Sequence, residues 1–257
     1  MSEEATLEFV SVIMAAYNAE DTLESAVRSV LEQTYPNVEL LIVDDCSTDF
    51  TYTIAKRLQE QDARVYVYRN SENLGAARTR EHGLRMAKGN WIAILDADDI
   101  WKADKIARQM KLQKETNAEL LYTGSSFMEA DGKPICWTLH VPETLSYRQL
   151  LKQNLISNSS ALVRRDLYEQ NYAACDTIHE DYAIWLRILR SGRMAYGIDE
   201  PLIFYRISQK SKSGNKIHSA VMNWNTYRFI GLNPLQAAYC EFWYMLKGAL
   251  KYHNLKK

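Results

Sequence analysis

The chain has 257 residues, 47% of them hydrophobic and 25% charged, enough to bury one large core and carry an appendage. No apolar run approaches ~20 residues, so a membrane-spanning helix is not expected. The acidic start, Met1-Ser2-Glu3-Glu4, lacks the basic and apolar parts of a secretion signal. The net charge of −1 hides an asymmetry, because residues 206–257 carry +8 and residues 1–205 carry −9. A basic, aromatic tail on an acidic body points to an anionic surface as the tail's partner. Cys46, Cys136, Cys175 and Cys240 are scattered without metal-ligand spacing, so structural disulfides are not expected and a reducing cytoplasm fits.

In chain order, Phe9–Ala15 reads as a buried strand, broken by Tyr17-Asn18. A helix follows over Asp21–Gln33, with Leu23, Ala26, Val27, Val30 and Leu31 as its apolar stripe. Glu39–Val43 is a second strand ending in Asp44-Asp45, and Ser47, Thr48 and Asp49 are candidate caps for a helix reaching about Gln61. Val65–Arg69 is a third strand, and Gly75–Ala87 a third helix closed by Gly89. Trp91–Leu95 is a fourth strand. The alternation of strands and helices implies an α/β fold with a mostly parallel sheet and helices on both faces.

The fourth strand runs straight into Asp96-Ala97-Asp98-Asp99. Strand alternation would point Asp96 and Asp98 the same way. Three like charges this close need a positive partner, and a hard divalent cation already bound to phosphate is the usual one. In open α/β sheets, ligands bind outside the carboxyl ends of strands, where both acidic clusters fall. There is no G-x-G-x-x-G after the first strand and no P-loop anywhere, so acids and a cation would have to hold any phosphates.

The second half is less regular. A helix is expected over Ala103–Thr116 and a strand over Glu119–Ser126, with a hairpin turn at Asp131-Gly132 into Ile135–Leu139. Ser146–Gln153 reads as helix, Ser160–Val163 as a short strand, Asp181–Ser191 as an amphipathic helix and Leu202–Ile207 as a strand. A polar loop, Ser208–Asn215, leads to two helices over Ile217–Ile230 and Leu235–Tyr252. On the last, Leu235, Tyr239, Phe242, Leu246 and Leu250 share a face, flanked by Trp243 and Tyr244, with Lys247, Lys251, Lys256 and Lys257 at the far end. That face is expected to pack on the body, with a role at a membrane surface as the second possibility.

Five signals stand in one order: strand–Tyr17-Asn18, strand–Asp44-Asp45, Arg80-Glu81-His82-Gly83, Asp96-Ala97-Asp98-Asp99, and Glu180-Asp181 at a helix start. That order resembles family-two glycosyltransferases of the GT-A fold, from about Phe9 to Ile207. Asp181-Tyr182-Ala183-Ile184-Trp185-Leu186 and Ala195–Leu202 are similar to the bacterial branch that builds teichuronic acid, O-antigen and capsule. The resemblance implies a catalytic domain over 1–207, with a nucleotide-binding half (9–101) and an acceptor half (102–207), and a helical tail over 208–257.

It also implies roles. Ala15 and Tyr17 would border a uracil, and Asp44 would accept its N–H. Arg80, with Arg78 as a rival, would lie near uracil or phosphate. Asp96 would bind ribose or donor-sugar hydroxyls, and Asp98 a Mn²⁺ or Mg²⁺ on the diphosphate, with Asp99 orienting that group from behind. Asp45, by contrast, is read from its position alone as a cap of the following loop. Asp181 would be the general base, His179 the runner-up, and Glu180 a structural neighbour pointing elsewhere. Many family members carry Tyr-Arg-x-His late in this domain, whereas here Tyr205-Arg206-Ile207-Ser208 puts Ser208 in the His place. Lys210 or Lys212 would close over the diphosphate instead.

The expected activity is inverting transfer of a hexose from a UDP-sugar to an acceptor hydroxyl, on a saccharide carried by a lipid diphosphate. A cytoplasmic enzyme, peripheral on the inner leaflet and without a nucleic-acid partner, is expected. A sugar nucleotidyltransferase and a non-catalytic carbohydrate- or nucleotide-binding module are the alternatives.

Overall fold

The computed structural model describes residues 7–207 and 216–255. The first half alternates β1 (Val10–Ala16), α1 (Leu23–Leu31), β2 (Val38–Asp44), α2 (Thr51–Gln61), β3 (Val65–Arg69), α3 (Ala76–Met86) and β4 (Trp91–Ile94). The second half holds β5 (Ile100–Trp101), α4 (Lys105–Thr116), β6 (Leu120–Met128), β7 (Pro134–Leu139), β8 (Thr144–Leu145), α5 (Tyr147–Leu150), a 3₁₀ turn (Asn158–Ser160), β9 (Leu162–Arg164), α6 (Arg165–Asn171), α7 (Glu180–Arg190) and β10 (Ala195–Arg206). Two helices follow, α8 (Lys216–Phe229) and α9 (Pro234–Leu255).

The strands form a single mixed sheet in the order β3-β2-β1-β4-β9-β6-β10-β5, with β7 on β6 and β8 on β10. The first four are parallel throughout. β9 runs antiparallel to both β4 and β6 and so joins the parallel half to the second half. Alternation along the strands divides the core between the two faces. Ile13, Leu41, Ile92 and Ile94 face α3 and α7, whereas Val12, Met14, Leu40 and Ile42 face α1, α2 and α4. β2 is buried along its whole length, as a central parallel strand must be.

The parallel half places the carboxyl ends of β1, β2 and β4 side by side. Tyr17, Asp44 and Asp96 therefore come together from positions about thirty and fifty residues apart. Gly89 does not close α3, which ends at an Ala87 cap. A Cβ at Gly89 would sit 2.6 Å from Phe9 O and Ser11 N, and its N–H donates to Ser11 Oγ (2.7 Å). The glycine is there because the turn into β4 crosses directly against β1.

The antiparallel half departs more from the periodicity. The strand expected over Leu202–Ile207 begins earlier, at Ala195, and its register slips around Pro201, which has no N–H to donate. β5, β8 and α6 are too short to carry a period.

The tail also differs from expectation. Tyr227, Ile230, Ala237 and Cys240 belong to the same core as Trp185. α9 thus packs through Ala237, Cys240 and Tyr244, while Leu235 (84% exposed), Tyr239, Phe242 and Leu246 face outward. An apolar stripe identifies a face that avoids water; it does not say which partner covers it. The small side chains let α9 approach α8, and the large stripe is left over. The side chains of Leu250 and Lys251, and residues Lys256 and Lys257, lie outside what is described. Among the described residues no helix is long and apolar enough to cross a membrane.

Candidate active site

At the end of β1, Asn18 takes a left-handed conformation (φ 47°) and locks to the next strand's loop. Its N–H donates to Ser47 Oγ (3.0 Å), and its side-chain oxygen accepts from Thr48 N (2.9 Å). Tyr17, one residue earlier, is 50% exposed and lines a cavity of about 350 Å³ with Ala15, Asn18, Asp96, Asp98 and Arg206. Its ring is a free platform rather than a core aromatic. Trp101 is the opposite case: it is buried, and its indole N–H donates to Ser159 O (2.8 Å).

Asp44 ends β2 fully buried. Its Oδ2 pairs with Arg69 Nε (3.0 Å) and accepts from Ser47 N (3.3 Å), whereas Oδ1 has no partner among the described residues. Asp44 lines neither of the two cavities of this site. Asp45 holds the loop after β3: its oxygens accept from Asn70 Nδ2 (2.8 Å), Leu74 N (2.8 Å) and Gly75 N (2.9 Å), the last at the start of α3. The loop it caps is therefore the one before α3, not the one directly following it.

The strand pairing of β4 stops at Ile94, so the turn after it, not the pleat, aims the three acids. Asp96 accepts from Arg80 Nη2 (2.6 Å). Asp98 opens onto the cavity beneath Tyr17. Asp99 is buried and accepts from Ser159 Oγ (2.6 Å) and Arg206 N (2.9 Å). Ser159 Oγ in turn accepts from Asp96 N (3.2 Å), so Asp99 fixes the backbone that carries Asp96. Arg206 Nε donates to Asp98 O (2.9 Å) and Nη1 to Ala130 O (2.8 Å), tying the end of β10 to the acidic turn. Burial and the Asp96 charge push the Asp98 carboxyl up to about 6, and burial with both neighbouring acids holds Asp99 well above the carboxylate range.

Arg80 is buried and Arg78 exposed, which separates the two rivals. Arg80 pairs with Asp96 and, through Nη1, with Glu180 at the start of α7. With the Asn158 amide oxygen toward the guanidinium, Asn158 accepts from Arg80 Nε (3.1 Å) and Nη2 (3.3 Å). One guanidinium thus joins α3, the acidic turn, the 3₁₀ turn and α7. Glu180 does not point elsewhere; it lines the same cavity as Asp181 while serving Arg80.

Asp181 faces a second cavity, of about 370 Å³, which also meets Asp96. Burial, then the adjacent Glu180 charge, pushes its carboxyl up to about 7. His179 lines this cavity too, but it is tied to α8: its N–H donates to Thr226 Oγ1 (3.0 Å), and its Nε2 lies 3.4 Å from Ser219 Oγ. Ser208, Lys210 and Lys212 lie outside the described residues, so the expected cation over the diphosphate has no position here.

The family model described as Glycosyl transferase family 2 matches residues 11–171, more than half of the chain. The chain belongs to this family. TuaG of Bacillus subtilis (strain 168), named for teichuronic acid biosynthesis, is 39% identical over 243 residues, covering 94% of this chain and 96% of TuaG. WfaP of Escherichia coli, named as a UDP-Glc:α-D-GlcNAc-diphosphoundecaprenol β-1,3-glucosyltransferase, is 34% identical over 247 residues, covering 96% of each. Among solved structures, S. aureus TarS in complex with UDP-GlcNAc superposes with a TM-score of 0.72 at 17% identity, covering 92% of this chain and 71% of that one. A mannosyltransferase from Pyrobaculum calidifontis in complex with GDP-Man and Mn²⁺ does so at 0.69 and 19%, covering 92% and 68%. The fold is GT-A, and the protein is a glycosyltransferase.

A nucleotide-sugar donor would present three kinds of group to this site: a base, a sugar and a charged diphosphate. Among the described residues no cluster of three or more His, Cys, Asp or Glu is arranged to hold a cation alone. Asp98, with Asp96 beside it, offers hard oxygen ligands whose mutual repulsion a divalent cation would relieve. That fits Mg²⁺ or Mn²⁺, which are commonly held by one or two carboxylates plus phosphate oxygens.

Arg80 is the electrostatic keystone of the arrangement. Arg80→Leu would leave Asp96 and Glu180 facing each other without compensation. Breaking a buried pair costs about 3–5 kcal/mol. Urea denaturation is expected to read a loss of that size, and a loss no larger than an exposed pair's ~1 kcal/mol would show that the three charges do not act together.

Proposed function

We propose that this glycosyltransferase moves a hexose from a UDP-sugar, with inversion, to a hydroxyl of a saccharide carried on a lipid diphosphate. One observation carries the reading: Asp181, its carboxyl held near 7, faces a cavity that meets the Tyr17–Asp98 cavity at Asp96. Donor and acceptor would meet at that junction. Asp44 Oδ1, with no partner among the described residues, suits a uracil N–H, and Tyr17 gives the base a face to lie on. The WfaP name, with its UDP-glucose donor and lipid-diphosphate acceptor, supports the same assignment. A nucleotide-binding half over 9–101 and an acceptor half over 102–207 are part of the same proposal.

In the reaction, the acceptor hydroxyl gives its proton to an Asp181 oxygen as its oxygen attacks the anomeric carbon. The bond from that carbon to the diphosphate breaks on the opposite face, so an α-linked donor yields a β-glycoside. Arg80 holds Asp96 in place to accept from sugar hydroxyls. Asp98, with Asp96, would hold a Mg²⁺ or Mn²⁺, which supplies Lewis-acid stabilisation of the departing diphosphate. The test is a screen of UDP-, GDP- and dTDP-hexoses with Mn²⁺ and a GlcNAc-diphospholipid. UDP-hexose transfer with inverted anomeric configuration is expected; preference for a GDP- or dTDP-sugar, or a retained configuration, would overturn the assignment.

Peripheral attachment at the cytoplasmic leaflet is part of the same proposal. Leu235, Tyr239, Phe242 and Leu246 form an outward apolar face on α9, within a segment carrying +8. Each basic residue near an anionic surface adds about 1 kcal/mol, weakened by salt. The intact chain is expected to sediment with phosphatidylglycerol vesicles at low salt and to be partly released at high salt. A Tyr239→Glu/Phe242→Glu double variant should stay in solution. Failure of the wild type to sediment at low salt would remove the membrane role.

A further inference from the structure

The cavity in front of Asp181 has more polar lining than the reaction uses. Ser125 Oγ on β6, Ser157 Oγ before the 3₁₀ turn and Asn223 Oδ1 on α8 are all buried, and none has a hydrogen-bond partner among the described residues. Ser125 and Asn223 are each 2% exposed. Native proteins pair nearly all buried polar groups, so three unpaired ones on a single cavity indicate partners that arrive with a ligand. The cavity lies at the small end of ordinary ligand pockets, about 300–1,000 Å³. Its other walls are Phe127, Leu139, Tyr205 and Tyr244, apolar and aromatic surfaces on which a sugar ring can rest.

Helix α8 has a polar stripe toward this cavity. Ser219, Asn223 and Thr226 fall at i, i+4 and i+7, hence on one face. Ser219 and Thr226 are engaged with His179, and Thr226 Oγ1 also donates to Met222 O (2.8 Å). Asn223 sits between them with its oxygen unengaged. Neither Asn223 nor Ser219 lines the cavity beneath Tyr17, so the stripe serves the Asp181 side and not the nucleotide side.

We infer that α8 is the acceptor-reading element, with Asn223, Ser125 and Ser157 hydrogen-bonding hydroxyls of the acceptor sugar beside Asp181. The inference rests on the proposed reading of this cavity as the acceptor site. It makes the segment after residue 207 part of the active site rather than an appendage. It also separates recognition from chemistry, because Asn223 Oδ1 accepts a hydroxyl proton by hydrogen bond while Asp181 takes one away. A site built to hydrogen-bond a hydroxyl discriminates strongly against a substrate that lacks it, since its own polar groups are then left unpaired.

The test uses full-length Asn223→Ala and Ser125→Ala, α-D-GlcNAc-diphosphoundecaprenol as acceptor, and the UDP-hexose that the wild type turns over. Acceptor KM is expected to rise about tenfold or more in each variant, while Kd for UDP with Mn²⁺ stays unchanged. Because these groups have no partner among the described residues, Tm should hold or rise; a purely structural role would lower it. Unchanged acceptor KM, or a loss that appears as weaker UDP binding, would overturn the inference and leave the proposed function standing. Absence of wild-type transfer to this acceptor would instead overturn the acceptor reading, and the inference with it.

Discussion

Asp181→Asn is expected to bind UDP and Mn²⁺ nearly as the wild type does and to lose about 10²–10⁴-fold in kcat, the usual contribution of a positioned general base. An alcohol is a poor nucleophile until its proton begins to leave, and few groups here can take it. Asp96 is bound to Arg80, Asp98 is the proposed ligand of the cation, and Asp99 is buried behind them. Glu180 is paired with the same arginine. His179 lines the cavity but is held by Ser219 and Thr226, so His179→Ala should cost much less. Asp181 is left facing the cavity with a carboxyl near 7. Its proton is lost as pH rises through that value, so kcat/KM should climb from pH 6 to pH 8 and then level. In Glu180→Gln the neighbouring charge that raises Asp181 is gone, and the acid limb should move to lower pH. Single-turnover transfer beside UDP titration separates the outcomes. Near-wild-type turnover by Asp181→Asn, or a loss lying wholly in UDP affinity, would mean that another group is the base.

How much of this was legible in the chain depended on the kind of element. The parallel half was readable because central parallel strands are buried on both faces and appear as continuous apolar runs, as Leu40–Val43 does. Their acids then fall at strand ends, where the fold places ligands. Even the choice of Arg80 over Arg78 was available in principle: Ala77, Arg80 and Leu84 share the buried stripe of α3, and Arg78 is off it. A charge on an apolar stripe must be paired, and Glu180, a hundred residues on, is its distant partner. The second half was harder. Elements of two to four residues have no period, and the hydrogen bonds that place Ser159, Asn158 and Arg206 cross between separate loops. Nothing local in Tyr205-Arg206 says that Arg206 grips the backbone of Asp98. The outward face of α9 was misread for a related reason, since hydrophobicity gives the stripe but the smaller Ala237–Cys240 face gives the contact. Asn223 carried no signal at all in the sequence; its meaning lies in the partner it lacks.

Asp98→Ala is expected to abolish transfer and to weaken UDP binding chiefly when Mn²⁺ or Mg²⁺ is present. In the wild type, UDP affinity should rise steeply with added Mn²⁺; in the variant it should hardly change, so that the two proteins differ little in chelator. The reasoning starts from charge. No P-loop or glycine-rich turn provides backbone N–H groups for a diphosphate, and the loop after β1 is committed to Ser47 and Thr48. The acidic turn lines the cavity beneath Tyr17, and carboxylates attract phosphate only through a cation. Stability offers an independent check in the absence of metal. The Asp98 carboxyl stands at about 6, above the 3.8 of an unperturbed aspartate, because burial and Asp96 oppose its charge. A raised carboxyl pKa means that the folded state holds the proton more tightly than the unfolded chain. The contribution of this carboxyl to stability is therefore fully present below about 4 and is lost as pH rises through about 6. Asp98→Asn, which keeps the shape and removes the charge, should raise Tm at pH 8 in chelator and leave it near wild type at pH 4. Added Mn²⁺ with UDP should raise the Tm of the wild type more than that of the variant, because binding to the folded state alone stabilises it by mass action. If chelated wild-type enzyme transfers sugar at full rate, the diphosphate is held without a cation, and the acidic turn must be doing something else.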